Sequence, residues 1–381
     1  MKIAVVGAGL MGRAAVYDLA RAEGITKVGV FDIDSQLAGQ IARKYGLKNT
    51  VSGRLDAGNT VQARKLFKGY DAVISAVTYK YNPGLAKAAI DAKAHFFDLG
   101  GNNSVVNEEF KLNQRAKKAG VVVIPDCGLA PGMVSVITAG DLARFDRPES
   151  LHIRVGGLPQ KPRPPLNYQM LFSAEGLINE YYEPVVAIKK GKKTILAPLT
   201  EIESLTFGGI GRLEAFTTSG GTSTLPKTYG KVLKNLDYKT IRYPGHCEKF
   251  KTMMDIGLDN WNKIKVDGAM VSPRSVLKQV LDNNLSFGEP DMSLVRITTE
   301  GRVKGKKRRL VSQIVDYYDR KSGLTSMMRC TSFPITIIAL MAAGGVIKAR
   351  GVVPQEKAVD PAYFEKELRK RNIIIKRRWA K

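Results

Sequence analysis

The chain has 381 residues, of which 44% are hydrophobic and 25% are charged, a composition typical of a globular protein long enough for two domains. Lys and Arg number 60 against 35 Asp and Glu, so the net charge is +25. The chain has three cysteines without CxxC spacing and three histidines, which argues against a disulfide scaffold and against a metal site. Because its first residues form an apolar strand and it has no long apolar run, we predict a cytoplasmic protein.

The first third of the chain alternates short apolar runs with helix-like stretches. We predict six strands and five helices: strands at 2–6, 27–31, 47–51, 72–76, 95–98 and 121–124, and helices near 10–23, 34–45, 60–67, 83–93 and 107–119. This alternation predicts an α/β fold, with a doubly wound parallel sheet of the Rossmann type.

The first strand leads into a Gly-x-Gly-x-x-Gly turn formed by Gly7, Gly9 and Gly12. Such a turn lets the backbone approach a pyrophosphate at the start of the next helix. Asp32 ends the second strand, where a carboxylate accepts the hydroxyls of an adenosine ribose. The strand, helix and acid together predict a dinucleotide site, and Asp32 followed by the uncharged Ile33 favours NAD over NADP.

Further cofactor contacts are predicted around the same turn and at the ends of the following strands. Asp56 either touches the adenine or caps a helix, and both interpretations remain open. The other predicted cofactor contacts are Leu10, Met11, Ala76, Val77, Thr78 and Gly100.

Polar residues that follow the later strands are candidates for catalysis, because ligands bind open α/β sheets outside the carboxyl ends of the strands. Tyr79, Asp98 and Asp126 occupy such positions. For Asp98 the alternative is that it caps a turn.

After residue 125 the pattern changes to a helix at 133–142 and then to longer strands joined by polar hairpins. The strands are predicted at 151–156, 185–189, 193–197, 239–243, 264–266, 293–300 and 308–316. We therefore predict a mostly antiparallel substrate domain at 126–330. Residues 331–350 return to helix and complete the nucleotide domain of 1–125, and 351–381 form a basic C-terminal segment.

Several motifs spread along the chain resemble the saccharopine dehydrogenase family, and within it the lysine 6-dehydrogenases. They are Gly7 to Gly12, Phe97 to Gly101, Pro125 to Met133, Phe172 to Leu177, Glu214 to Leu225 and Thr240 to Phe250. The resemblance implies a catalytic domain of the glyceraldehyde-3-phosphate dehydrogenase type. It also implies oxidation of the ε-amine of L-lysine by NAD, which releases ammonia and gives an aldehyde that cyclises to piperideine-6-carboxylate.

The residues of the second domain suit an amino-acid substrate. Arg242 offers a planar bidentate donor to a carboxylate, although a surface arginine at a strand end is the alternative. Thr217, Ser219 and Thr222 offer hydroxyls to a polar head group, unless they belong to a flexible hairpin. His246 is a further candidate base, because histidine titrates near neutral pH, but it can equally be structural.

Three other functions remain open at this stage: a saccharopine-type dehydrogenase, a carboxynorspermidine-type dehydrogenase, and an NAD-sensing protein without catalysis. Basic clusters at Lys189 to Lys193, Arg302 to Arg309 and Lys366 to Lys381 lack interleaved aromatic residues. We therefore expect no specific nucleic-acid partner and no membrane partner. A homodimer is expected.

Overall fold

The computed structural model describes residues 1–380. Residues 1–143 form six strands and seven helices. The strands are β1 (Lys2–Val6), β2 (Lys27–Asp32), β3 (Thr50–Arg54), β4 (Ala72–Ser75), β5 (His95–Asp98) and β6 (Val122–Ile124). The helices are α1 (Leu10–Ala20), α2 (Ser35–Tyr45), α3 (Thr60–Phe67), α4 (Asn82–Asp91), α5 (Asn103–Lys111), α6 (Asn113–Ala119) and α7 (Met133–Leu142).

Residues 147–317 form long strands with four helices. The strands are β7 (Arg147–Pro159), β8 (Val185–Lys189), β9 (Lys192–Leu196), β10 (Glu203–Phe207), β11 (Gly211–Thr217), β12 (Asn235–Arg242), β13 (Ile264–Val266), β14 (Ala269–Val271), β15 (Asp291–Val303) and β16 (Lys306–Tyr317). The helices are α8 (Ala174–Tyr182), α9 (Leu225–Tyr229), α10 (His246–Asp255) and α11 (Pro273–Asn284).

The end of the chain is regular as well. It comprises α12 (Ser326–Ala343), β17 (Gly351–Val352), α13 (Gln355–Ala358), α14 (Pro361–Lys370) and β18 (Lys376–Ala380). By length and composition α12 could cross a membrane, but 83% of it is buried inside the structure, as expected for a core helix.

The chain divides into two compact units. The first comprises 1–143 and 328–374, and the second comprises 144–327 and 375–381. The first compact unit extends beyond the predicted boundary at 125, because it also contains α7. The predicted basic segment at 351–381 is also divided between the units, since it contributes α14 to the first and β18 to the second.

The first unit has a seven-stranded sheet in the order β17-β6-β5-β4-β1-β2-β3, with every pair parallel. This arrangement confirms the predicted doubly wound fold. It places the carboxyl ends of β1, β2, β4 and β5 along one edge. A buried apolar cluster that includes Val73, Leu85 and Phe96 fills the space between the sheet and its helices.

An ion pair ties the end of the chain into the first unit. Arg371 Nε lies 2.8 Å from Asp18 Oδ1, and the hydroxyl of Thr336 donates to Asp18 Oδ2 at 2.5 Å. These contacts join α1, α12 and the residue that follows α14. Burial raises the pKa of Asp18, although the Arg371 charge opposes that shift.

The second unit has a nine-stranded mixed sheet. Its main path is β10-β11-β12-β7-β15-β16-β18, and the β8–β9 hairpin joins it through β12. The β7–β12 pair is parallel, whereas the other pairs are antiparallel. Helices α8, α10 and α11 cover part of this sheet through an apolar cluster around Tyr181, Phe216 and Phe250.

Candidate active site

The start of α1 is built to receive an anion. Gly9 is its N-cap and provides no side-chain hydrogen bond, whereas Asp34 caps α2 by accepting from two backbone N–H groups. The first N–H groups of α1 therefore remain available to a phosphate. A Cβ on Gly9 would meet nothing within 4 Å, so a ligand has room to approach the backbone there.

The rest of the turn is held by close backbone contacts. A Cβ on Gly12 would lie 1.8 Å from the Gly7 carbonyl oxygen, and a Cβ on Gly7 would lie 2.6 Å from the Ala76 carbonyl oxygen. The predicted residues Ala76 and Val77 thus flank the glycine turn, and the exposed Thr78 follows them. Of the two other predicted residues on α1, Leu10 is exposed, and the backbone oxygen of Met11 accepts from Ser332 at 2.8 Å.

Asp32 lies beside the glycine turn, as predicted. Its Oδ2 accepts from Ala8 N at 2.7 Å and its Oδ1 accepts from Asp34 N at 3.0 Å. Each carboxylate oxygen retains a lone pair that a ribose hydroxyl can use. Asp56 accepts from Gly58 N at 2.8 Å, which makes it the cap of a turn, while Asn59 caps α3.

The structure corrects the argument for NAD that rested on Asp32 and Ile33. Arg54 pairs in register with Asp32 on the adjacent strand, and its Nε donates to the Ile33 carbonyl at 3.2 Å. The exposed Arg54 guanidinium therefore provides the positive charge that the sequence around Asp32 lacks. An arginine at this place can accommodate a 2′-phosphate, so the local geometry does not exclude NADP.

Asp98 is fully buried at the end of β5. Its Oδ1 accepts from Gly100 N at 2.7 Å and from Asp126 N at 3.2 Å, and its backbone oxygen accepts from Cys127 N at 2.7 Å. These bonds fix the loops that follow β5 and β6 to one another. They match the alternative interpretation of Asp98 as a turn cap and leave its carboxylate without access to solvent.

A second buried acid, Glu109 on α5, accompanies Asp98 and had not been predicted. Within residues 1–380, Asp98 Oδ2 and both carboxyl oxygens of Glu109 have no partner except each other's carboxyl group. Burial, and then the Asp98 charge, raise the pKa of Glu109. Glu109 is therefore protonated at neutral pH and can donate to Asp98, which stabilises both groups without a cation.

Asp126 and Tyr79 lie next to the paired glycines 100 and 101. A Cβ on Gly100 would lie 1.9 Å from Asp126 Oδ1, and one on Gly101 would lie 2.8 Å from Tyr79 Cδ1. Asp126 has a left-handed φ of 61°, a strained conformation that proteins keep mostly at functional sites. The structure thus brings Tyr79, Asp98, Gly100 and Asp126 together at the carboxyl edge of the sheet.

In the second unit, Arg242 is 3% exposed at the end of β12. Its Nε donates to Tyr181 Oη at 2.9 Å and its Nη1 donates to the Ile241 carbonyl at 2.9 Å. The guanidinium also lies over the ring of Tyr168, 4.7 Å from its centroid. Among residues 1–380 no carboxylate lies within ion-pair distance of it, so Arg242 is a buried cation without a direct ion pair.

His246 cannot be the general base that the sequence suggested. It is 1% exposed, and burial lowers its pKa to about 3. Its Nδ1 lies 3.0 Å from the Leu166 carbonyl and must donate there, so Nε2 accepts from Tyr181 Oη at 3.1 Å. The neutral ring therefore orients Tyr181, which in turn receives the Nε–H of Arg242.

The three predicted hydroxyls at the end of β11 and in the loop before α9 all face protein carbonyls. Thr217 donates to Ala197 O at 2.9 Å, Ser219 to Asn179 O at 3.4 Å and Thr222 to Val186 O at 3.5 Å. The first of these bonds is the best formed, and Thr217 is fully buried. These contacts account for the hydroxyls as loop anchors, and the assignment of Thr217 to substrate is not supported by them.

Sequence reasoning also missed two residues close to Arg242. Tyr168 is fully buried, and its Oη has no hydrogen-bond partner within the described chain. The Leu171 backbone lowers the pKa of Tyr168 against the larger effect of burial. Glu180 is a partly buried acid near the end of α8, and none of its side-chain atoms forms a hydrogen bond or ion pair in the described residues. The available signal was an acid on the same short helix as the apolar residues Leu177, Ile178 and Tyr181.

Comparison with known families gives two matches that together span nearly the whole chain. The saccharopine dehydrogenase NADP binding domain matches residues 3–124. The saccharopine dehydrogenase C-terminal domain matches residues 128–374.

Curated relatives and solved structures point in the same direction. The mitochondrial alpha-aminoadipic semialdehyde synthase of Rattus norvegicus is 25% identical over 68% of this chain and 28% of that protein. The saccharopine dehydrogenase [NADP(+), L-glutamate-forming] of Pyricularia oryzae is 24% identical over 56% of this chain and 48% of that protein. The chain thus spans less than half the length of these curated relatives.

Two solved structures share the fold over the whole of this chain. Saccharopine dehydrogenase (L-Glu forming) from Saccharomyces cerevisiae has a TM-score of 0.81 at 21% identity and is covered completely. Homospermidine synthase from Legionella pneumophila, solved with NAD, has a TM-score of 0.69 at 12% identity, with 91% of that chain covered. At these identities the likeness establishes the fold alone.

Proposed function

Because the chain belongs to the saccharopine dehydrogenase family, we propose that it is a nicotinamide-dependent oxidoreductase that acts on a carbon–nitrogen bond of an amino acid. The finer proposal is oxidative deamination of L-lysine at its ε-carbon with NAD. Its products are ammonia, NADH and an aldehyde that cyclises.

The burial of Arg242 without a direct ion pair is the observation that supports an amino-acid substrate. A buried guanidinium without a direct ion pair is costly unless an anion binds to it. The other buried arginines of the second unit, Arg154 and Arg274, each lie within 2.8 Å or less of a carboxylate of the protein. Arg242 instead has aromatic rings around it, and its planar group suits a substrate carboxylate.

The first unit supplies the groups that a nicotinamide cofactor and a proton transfer require. The start of α1 would hold the pyrophosphate of such a cofactor and Asp32 its ribose, and the cofactor would supply a hydride acceptor. For hydride transfer the substrate ammonium must first lose a proton to a base, for which Asp126 and Tyr79 remain our candidates. Hydride loss leaves an iminium, and water adds to its carbon so that ammonia departs with the electron pair of the broken C–N bond.

A saccharopine-type dehydrogenase is the second candidate, since relatives of that name match this chain. Saccharopine carries additional carboxylates, which require additional cations. In the second unit the buried basic side chains Arg154 and Lys239 are already paired with Glu203, so they are not available to a substrate. Among the described buried basic side chains of the second unit, Arg242 is thus the one without a direct ion pair, which supports a substrate with one buried carboxylate.

Initial rates of NAD and NADP reduction with L-lysine, L-ornithine, cadaverine and saccharopine test the proposal. We expect L-lysine with NAD to give the highest kcat/KM, and cadaverine, which lacks the carboxylate, to be a poor substrate. Faster turnover of saccharopine would replace the finer proposal by the second candidate. No reduction with any of these amines would reject both.

A further inference from the structure

We infer that Glu180 binds the α-ammonium group of the substrate while Arg242 binds its α-carboxylate, so that the second unit recognises the head group of an α-amino acid. This inference rests on the proposed role of Arg242. It assigns a specificity-determining residue that the motifs did not suggest.

Glu180 lies next to a residue that holds Arg242. Glu180 precedes Tyr181 on α8, and Tyr181 Oη holds Arg242 Nε at 2.9 Å. The backbone of Glu180 is itself fixed, because its carbonyl accepts from Ser219 N at 2.9 Å. The acid and the arginine are therefore attached to the same hydrogen-bonded framework.

The Glu180 carboxylate and the Arg242 guanidinium are close but do not form an ion pair. The charges of Glu180 and Arg242 act on each other, yet no nitrogen of Arg242 comes within the 4.0 Å of a Glu180 oxygen that would make an ion pair. The two opposite charges are therefore near each other but are not joined in an ion pair. An α-amino acid carries the complementary charges on adjacent groups, so its head group can complete both at once.

Near Glu180 and Arg242 there is one buried hydroxyl group without a hydrogen-bond partner in the described chain, that of Tyr168. Tyr168 and Tyr238 both feel the Glu180 charge, which contributes to raising their pKa values behind the larger effect of burial. The Tyr168 hydroxyl is fully buried without a hydrogen-bond partner in the described chain. A bound polar head group would supply that partner, and a buried polar group of this kind is rare in proteins unless something does.

Other charged groups on the packed elements do not take over the role of Glu180. Arg274 lies on α11 and pairs with Glu175 at 2.8 Å. Glu183, at the end of α8, acts on Glu180 as a like charge. His246 on α10 is neutral, so it offers no charge to Glu180.

Binding of unreactive ligands to the full-length protein tests this inference independently of turnover. L-Norleucine carries both head-group charges, and hexanoate carries the carboxylate without the ammonium. We expect Glu180→Gln to weaken norleucine binding in calorimetric titration by about ten- to hundredfold, the value of one charged hydrogen bond, and to change hexanoate binding less than about twofold. Glu183→Gln makes the same charge change three residues away and should weaken neither affinity.

The outcomes separate this inference from the proposed function. The melting temperatures of the parent and of Glu180→Gln are compared to verify that the variant is folded, because the lost charge also acts on the buried Arg242. Norleucine binding that depends on Glu180, in a protein that does not oxidise lysine, would refute the proposed function and support the head-group site. Norleucine affinity unchanged in Glu180→Gln, or lost equally in both variants, would overturn the inference. So would a Glu180→Gln protein that binds norleucine normally but has lost kcat, because Glu180 would then be a base.

Discussion

Arg242 shows how much a single residue can depend on its surroundings. From the sequence it was an arginine at the end of a strand. In the structure it is a buried cation oriented by Tyr181, which His246 orients in turn. The low pKa of His246 removes it as a base, but it gives this residue a role in positioning the arginine.

Arg242→Lys tests the role of the planar guanidinium. Lysine keeps the charge but loses the bidentate fork and the Nε–H that Tyr181 accepts, so we expect the KM for L-lysine to rise by about ten- to hundredfold. Arg242→Ala should in addition make L-lysine and cadaverine more nearly equal as substrates. Steady-state kinetics with both amines provide the measurement, and lysine kinetics that are unchanged in Arg242→Ala would reject the assignment.

Arg54 tests the choice between the two cofactors. It lies beside Asp32 on the adjacent strand, where it can contact a 2′-phosphate. We expect Arg54→Ala to weaken NADPH binding, followed by fluorescence titration, about tenfold while NADH binding changes less than about twofold. Arg43→Ala, on the exposed side of α2, is the control. Equal losses of both cofactors in Arg54→Ala would show that this arginine does not distinguish them.

The substitution Glu109→Gln tests whether Glu109 is protonated in its buried pair with Asp98. The pKa of Glu109 is raised above the ordinary 4.5 in the folded protein, so the folded state holds a proton that the unfolded state releases. The contribution of Glu109 to the free energy of unfolding is therefore fully present below about pH 4.5. It decreases as the pH rises toward the pKa of Glu109 in the folded protein. Glu109→Gln keeps a neutral donor to Asp98 and should flatten the decline of the melting temperature between about pH 5 and 8. Parallel curves for parent and variant would contradict a protonated Glu109.

At the scale of elements, different glycines of the turn before α1 serve the fold and the binding of a ligand. Gly12 and Gly7 are required by close contacts within the protein, whereas Gly9 faces open space. The same motif therefore contains glycines that the fold needs and one that a ligand needs.

We expect Gly9→Ala to melt at the temperature of the parent but to lose most of its NADH affinity, because the added methyl group occupies the approach to the start of α1. Its backbone φ of −68° suits alanine. Gly12→Ala should instead destabilise the fold strongly, since its Cβ would overlap the Gly7 carbonyl. Thermal melting and NADH fluorescence measure the two effects. Normal NADH binding by Gly9→Ala would place the pyrophosphate elsewhere.

Boundaries of elements were predicted well where the chain alternates and less well elsewhere. The strands at 2–6 and 95–98 begin and end as predicted, because buried apolar runs and flanking turns define them. The predicted helix at 107–119 is two helices, Asn103–Lys111 and Asn113–Ala119. The strands β10, β11, β14, β17 and β18 were missed. Of these, β14 and β18 are mostly exposed and therefore offer little apolar pattern.

At the scale of the whole molecule, the net charge of +25 is the feature that the fold does not require. Two of the three basic clusters lie at hairpin tips, between β8 and β9 and between β15 and β16, as predicted. Some of these charges are paired, for example Lys189 with Glu201 and Arg309 with Glu300. The third cluster is built into α14 and β18.

We therefore expect any binding to nucleic acid to be electrostatic and independent of sequence. Anisotropy titrations with two unrelated DNA duplexes should give equal affinities that fall by about 10³ or more between about 50 and 200 mM salt. A preference for one duplex that persists at the higher salt concentration would identify a specific nucleic-acid site. The homodimer and the cytoplasmic location stay predictions.

The sequence by itself determined the parallel fold, the dinucleotide turn and the family-like motifs, because these depend on local periodicity and on residues close together in the chain. Tertiary structure alone decided the roles of residues whose partners are distant. It placed Arg54 beside Asp32, Glu109 against Asp98, and Tyr181 between His246 and Arg242. Burial and unpaired charge are properties of three-dimensional packing, so a sequence can name an ionisable residue without revealing whether it binds, positions or titrates.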